Sequence, residues 1–127
     1  MMKIEIKEVP LSGIKSAEQL AAFILSSLGL SDLKDTSDVK LLLAFIQNKE
    51  GLKADELKKT ANLGQTATYS RIKKFLNAGI IYKTKGSFYK LRERSLKDTL
   101  DFRVRRDIQR VFDSIVEVSE ELEAKLK

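Results

Sequence analysis

The sequence has no cysteine, no histidine and no tryptophan, and one proline in 127 residues. Without cysteine there can be no disulfide, iron–sulfur cluster or thiolate nucleophile. Without histidine, Ser-His-Asp and Cys-His catalysis, imidazole-held zinc and the usual general base near neutral pH are all excluded. Carboxylate or lysine catalysis stays open in principle. The one carboxylate cluster with metal-like spacing, Asp32, Asp35 and Asp38, reads as loop and capping residues, so no enzyme activity, metal or cofactor is expected. No run approaches the ~18 apolar residues of a transmembrane helix. The first residues alternate charge and isoleucine instead of forming the apolar block of a signal peptide, so secretion is not expected. A cysteine-free chain fits the cytoplasm as its default compartment. At 43% hydrophobic and 33% charged residues, the composition is that of a folded chain, and its length suits one domain or one domain with an oligomerisation arm.

What the sequence does have is a concentrated positive charge. The whole chain carries net +6. Residues 51–91 hold Lys53, Lys58, Lys59, Arg71, Lys73, Lys74, Lys83, Lys85 and Lys90 against only Asp55 and Glu56. The flanking segments are near neutral, so the excess lies in this one stretch. Such a localised excess suits a polyanion-binding surface, because each neutralised phosphate releases counterions. A lysine-rich solvated surface is the alternative that charge alone leaves open.

Glycine punctuates the chain into elements. Lys3 to Glu8 alternate, with Ile4 and Ile6 on one face, which predicts a short strand ended by Pro10 and Gly13. Ser16 caps a first helix over 17–28, closed by Gly29. Ser37 caps a second over 38–48, apolar nearly all round through Leu41 to Ile46 and therefore central. A short helix spans 54–61, Asn62-Leu63-Gly64 form a tight turn, and a further helix covers 65–77, stopped by Gly79. Residues 80–84 and 87–91 flank Lys85-Gly86 as a β-hairpin. Ser95, with Asp98 three residues on, resembles a capping box. From Leu96 to Leu126 there is no breaker.

The order helix, short helix, turn, helix, glycine, hairpin becomes specific at residues 52–91, LKADELKKTANLGQTATYSRIKKFLNAGIIYKTKGSFYKL. This segment resembles the DNA-reading half of the winged helix-turn-helix transcription regulators of the ArsR, MarR and TrmB-like superfamily. Leu57 and Ala61, Leu63, Ile72 and Phe75, and Ala78-Gly79-Ile80-Ile81 carry the likeness. It implies a mainly α fold with a small β-hairpin wing. Residues 1–31 form an N-terminal strand and helix, 32–92 the DNA-binding domain, and 93–127 a long coiled-coil-like dimerisation helix.

On helix 65–77, Thr68, Ile72, Phe75 and Leu76 share one face. Thr68 departs from the usual aliphatic, and its hydroxyl needs a partner such as the carbonyl four residues back. The opposite face presents Gln65, Thr66, Tyr69, Ser70 and Lys73 for base contact, with Arg71 and Lys74 flanking it at phosphate reach. None of the outward positions is acidic. Gly64 either leaves the first helical amides open to a phosphate or is there because only glycine fits the turn. Lys83, Lys85 and Lys90 around Gly86 give the hairpin a basic tip for backbone contact; protection of an exposed edge is the other reading.

The C-terminal helix would be about 46 Å long at the standard rise. Val104, Ile108, Val111, Ile115, Val118 and Leu122 step by 4, 3, 4, 3, 4 along it, an a/d heptad seam that predicts a homodimer. Arg103, Arg105, Arg106 and Arg110 precede Glu117, Glu120, Glu121 and Glu123, an order opposite to that favoured by the helix dipole. Antiparallel pairing or an arginine extension of the DNA-facing surface would each account for it. Together these features predict a dimeric, sequence-specific regulator that binds double-stranded DNA, with half-sites about one turn apart. A winged-helix protein-interaction module is the rival, since fold does not settle function. No residue pattern marks a small-molecule effector site.

Overall fold

A computed structural model describes residues 3–11, 13, 15–32 and 34–127. The chain is mainly helical, with a small antiparallel sheet and a long C-terminal helix. Helices α1 (Ala17–Ser27), α2 (Thr36–Gln47), α3 (Ala54–Ala61) and α4 (Gln65–Asn77) precede strands β1 (Ile81–Lys83) and β2 (Tyr89–Leu91). The C-terminal helix then runs through α5 (Leu96–Asp98), a π-helical stretch (Thr99–Val104) and α6 (Arg105–Lys125).

The expected N-terminal strand does not form. Residues 3–8 are extended, but the amides of Lys3, Glu5 and Lys7 donate to the carbonyls of Asn77 (3.0 Å), Leu28 (3.0 Å) and Ser27 (2.7 Å). The period of two is real, yet it satisfies orphan carbonyls at the ends of α4 and α1 instead of a sheet ladder. Ile4 packs while Ile6 stays exposed. Gly29 allows this close approach: its φ is +70°, and a Cβ there would lie 2.5 Å from the Glu5 carbonyl oxygen.

Ser16 caps α1 through a complete capping box with Gln19. Helix α2 begins earlier than Ser37 would place it. Asp35 is the cap, its carboxylate accepting from the Asp38 amide at 3.1 Å, and aspartate is as good a cap as serine. As its pattern predicts, α2 is central: Leu41, Leu42 and Phe45 are fully buried. Phe45 meets Phe75 of α4 edge to face at 5.6 Å, and Leu57, Ile72, Ile80 and Ile81 complete the core around them.

The hairpin is tighter in its strands and longer in its loop than a two-residue connection. Ile81, Tyr82 and Lys83 pair with Leu91, Lys90 and Tyr89. Thr84 donates its amide to the Phe88 carbonyl (2.8 Å) and accepts from the Ser87 amide (3.1 Å). The loop is therefore 85–87, with Ser87 and not Gly86 in the left-handed region, at φ 65°. This is the three-residue solution of a turn followed by a left-handed residue. Leu52 adds a bridge on the other side of β2, exchanging both backbone hydrogen bonds with Tyr89.

The C-terminal helix is not α-helical throughout. Leu96, Leu100, Val104 and Ile108 are each four apart, a spacing that drifts by about 40° per step in a 3.6-residue helix. The wider π turn over Thr99–Val104 removes part of that drift and keeps Leu96, Leu100 and Val104 on the domain. Thr99, fully buried, accepts the Glu93 amide at 3.0 Å. Beyond Ile108, every residue from 109 to 127 is exposed.

Gly29→Ala should destabilise the fold by more than about 1 kcal/mol, because alanine is strained at positive φ and its methyl strikes the Glu5 backbone. Urea unfolding of the two chains measures the difference.

Candidate nucleic-acid interface

Helices α3 and α4 are joined by a turn with one left-handed residue, Asn62, at φ 53°. Its amide closes α3 on the Lys58 and Lys59 carbonyls. Gly64 begins α4 at φ −72°, and a Cβ there would meet nothing within 4 Å. The reading that only glycine fits this turn is therefore set aside: the position has room for any residue, and glycine leaves the first amides of α4 without a side-chain cap.

The inward face of α4 is Thr68, Ile72 and Phe75, all buried. The Thr68 hydroxyl donates to the Gly64 carbonyl at 2.8 Å, which satisfies its one polar atom inside the core. Gln65, Thr66, Tyr69, Ser70 and Lys73 are all exposed. Tyr69 opens onto a shallow groove of about 340 Å³ shared with Lys53, Asp55, Lys83, Gly86 and Ser87. Strand parity explains the presence of Lys83. It shares the core-side face of β1 with Ile81 but lies past the core's edge, with its ammonium 5.8 Å from the Tyr89 ring centre. Lys53 sits similarly over Phe88, at 5.2 Å.

Lys85 is exposed at the hairpin tip. Lys90 pairs with Tyr82 on the other strand face and belongs to a separate basic groove with Lys49, Arg92 and Arg94. The three hairpin lysines thus do not act as one cluster.

Arg71 and Lys74 do not stand free beside the outward face of α4. Arg71 Nη1 is 2.7 Å from Asp35 and 3.0 Å from Asp38, and Lys74 is ion-paired with Asp38. Asp38 is fully buried. Its Oδ1 touches Arg71 in an ion pair that lacks hydrogen-bond alignment. Burial pushes Asp35 upward. The Arg71 hydrogen bond, the Asp38 amide and the charges of Arg71 and Lys74 outweigh it and hold the carboxyl below its usual value. The Asp35 hydrogen bond in turn raises Arg71 against the opposing effect of burial. Asp35 and Asp38 lie three apart at the start of α2, and Arg71 and Lys74 lie three apart on α4, so each pair shares one side of its helix, and packing of α2 on α4 brings the two together. Reading the aspartates as loop and cap residues covers Asp32 and Asp35 but misses Asp38.

Two cations that the helix and hairpin pattern did not single out lie beside the outward face of α4. Lys53 lines the groove described above. Lys3 is drawn to α4 by the Lys3–Asn77 backbone bond and shares a second groove with Ser70, Lys73, Lys74 and Asn77. Lys3, Lys53, Lys73, Lys83 and Lys85 have no ion-pair partner among the described residues. No group of acidic, histidine or cysteine residues among them could hold a metal ion.

Along the C-terminal helix, Val104 is buried on its own domain and Ile108 half-buried. Val104 is thus unavailable to a partner, contrary to the six-residue seam. Val111, Ile115, Val118 and Leu122 are exposed by 52%, 58%, 63% and 57%. Arg103 pairs with Glu93 and Arg105 with Asp101, both at 2.8 Å.

Asp38→Ala should cost about 3 kcal/mol, the lower end for a broken buried pair, since Arg71 and Lys74 retain partial access to water. Chemical denaturation checks it. Asp35→Asn keeps a good cap and removes only the charge. Because the folded carboxyl lies below 3.8, its stabilisation is complete above that pH and is lost as pH falls through the lowered value. The denaturation midpoints of wild type and Asp35→Asn should therefore differ at pH 6 and converge toward pH 2. No protein-family model, curated protein or solved structure matches this chain.

Proposed function

We propose that this chain is a dimeric, sequence-specific DNA-binding transcriptional regulator of winged helix-turn-helix build. Helices α3 and α4 act as the helix-turn-helix, and the hairpin acts as the wing. The observation that carries the reading is the outward face of α4: exposed, free of carboxylates, and opening at Tyr69 into the same groove as Lys53 and Lys83. Laid in a major groove, Gln65, Thr66, Tyr69, Ser70 and Lys73 meet base edges. Lys83 and Lys85 take the flanking phosphates, with Lys53 beside them. Arg71 and Lys74 leave the contact set, because pulling either onto a phosphate would strip the buried Asp38 of a counter-charge. They hold the reading helix and do not themselves read. The exposed stripe on α6 supplies the dimer contact. No helix among the described residues is long and apolar enough to cross a membrane.

Affinity for duplex DNA, measured at 50 and 200 mM salt, tests the proposal. A dimer contacting ~6–10 phosphates should lose ~10³–10⁵ in affinity over that range. A flat response would favour a protein-interaction module. Gln65→Ala and Tyr69→Ala should change sequence preference while leaving random-duplex affinity near wild type. Lys83→Ala should weaken all sequences alike and reduce the salt slope by about 1. Equal losses on specific and random duplex for all three would remove base readout from α4.

A further inference from the structure

The hairpin has a second face. Tyr82 and Lys90 are paired in register, on the side of the sheet opposite to buried Ile81, Tyr89 and Leu91. Two neighbouring segments bring further cations to them. The Leu52–Tyr89 bridge draws the α2–α3 connection against β2, so closely that a Cβ on Gly51 would lie 3.0 Å from the Tyr89 carbonyl oxygen and 3.2 Å from the Lys90 Cβ. That approach seats Lys49 beside the strand. Past β2, the Arg92 amide donates to the Ile80 carbonyl at 3.1 Å and keeps the following residues at the base of the hairpin. The result is a groove of about 310 Å³ lined by Lys49, Tyr82, Lys90, Arg92, Glu93 and Arg94.

The groove's charge is not cancelled from within. Glu93, its one carboxylate, is 2.8 Å from Arg103, and Arg92 is 3.7 Å from Asp107. Lys49, Lys90 and Arg94 have no ion-pair partner among the described residues. The ring is uncovered as well. Lys53 lies over Phe88 and Lys83 over Tyr89, but among the described residues no cation lies over Tyr82, which is 41% exposed.

We propose that this outer face of the hairpin binds single-stranded nucleic acid. Bases stack on Tyr82, and the sugar-phosphate backbone runs over Lys49, Lys90 and Arg94. The surface is separate from the outward face of α4, and the inference does not rest on the duplex reading there. A duplex keeps its bases inside the stack and gives the ring no partner. A free nucleotide needs a pocket that buries most of its surface, whereas this groove is shallow and its cations come from different segments of the chain. An acidic peptide would satisfy the cations and leave the ring idle.

Anisotropy of a labelled oligothymidylate, titrated with the full chain between 50 and 200 mM salt, tests the proposal. Tyr82→Ala should weaken binding at least about five-fold, while Tyr82→Phe keeps the ring and binds as wild type. Lys49→Ala and Arg94→Ala should each lower the log–log salt slope by about 0.7. All three positions are exposed, and circular dichroism checks that each variant folds. No binding of the oligothymidylate overturns the proposal, as does equal binding by wild type and Tyr82→Ala. A loss produced by Tyr69→Ala instead puts the strand on α4 and overturns it too. Equal competition by thymidine monophosphate or polyglutamate, at matched ionic strength, replaces the single strand with another occupant. Duplex affinity is scored separately on the same variants. Tyr82→Ala should keep it, and its loss would make this face part of the duplex contact and end the separate site. A chain that grips duplex but no single strand ends this inference and leaves the regulator reading intact.

Discussion

A single carboxylate fixes the position of α4 against α2. Asp38 sits at the start of α2 with no access to water, and its charge is stable there only because Arg71 and Lys74 reach it from α4. Asp35, one turn earlier, caps α2 and holds the same arginine. The pairing crosses between the central helix and the helix with the exposed polar face, so the setting of one depends on the other. Hydrophobic contacts such as Phe45 on Phe75 bring the two helices together. They are non-directional, whereas the ion cluster specifies rotation and height along the axis.

This arrangement divides the cations of the basic segment into two kinds. Those turned inward neutralise aspartate, and those turned outward, such as Lys73 and Lys83, have no ion-pair partner among the described residues. Net charge cannot distinguish them, because it counts Arg71 and Lys83 alike. Only the partner on α2, more than thirty residues earlier in the chain, separates their roles.

Much of the fold was legible where local pattern and tertiary outcome agree. The Ser16 capping box, the central α2 and the inward Thr68–Ile72–Phe75 face follow from spacing alone. So did the outward set on α4, since a helix that buries one face must expose the other. Three of the four failures share a cause. Residues 3–8 had the strand period but no strand to pair with, and helix ends took their amides. Asp38 was grouped with the loop and capping carboxylates because its counter-ions lie far off in sequence. Val104 belonged to the heptad by spacing but to the domain by contact. The hairpin loop gained a residue because Ser87 takes the left-handed position beside Gly86. In the first three the deciding partner was non-local, which no single-sequence periodicity records; the hairpin turned on a local backbone choice.

The wide turn at Thr99–Val104 has a mechanical consequence. It holds one extra residue relative to a regular helix in the segment where the stalk leaves the domain. Each residue of an α-helix turns the chain by about 100°. Shortening this segment by one residue would thus swing the free stripe of α6 roughly a quarter-turn about its axis relative to the polar face of α4, with almost no change in reach. The rotational setting of the α6 stripe relative to the polar face of α4 is therefore fixed within these six residues.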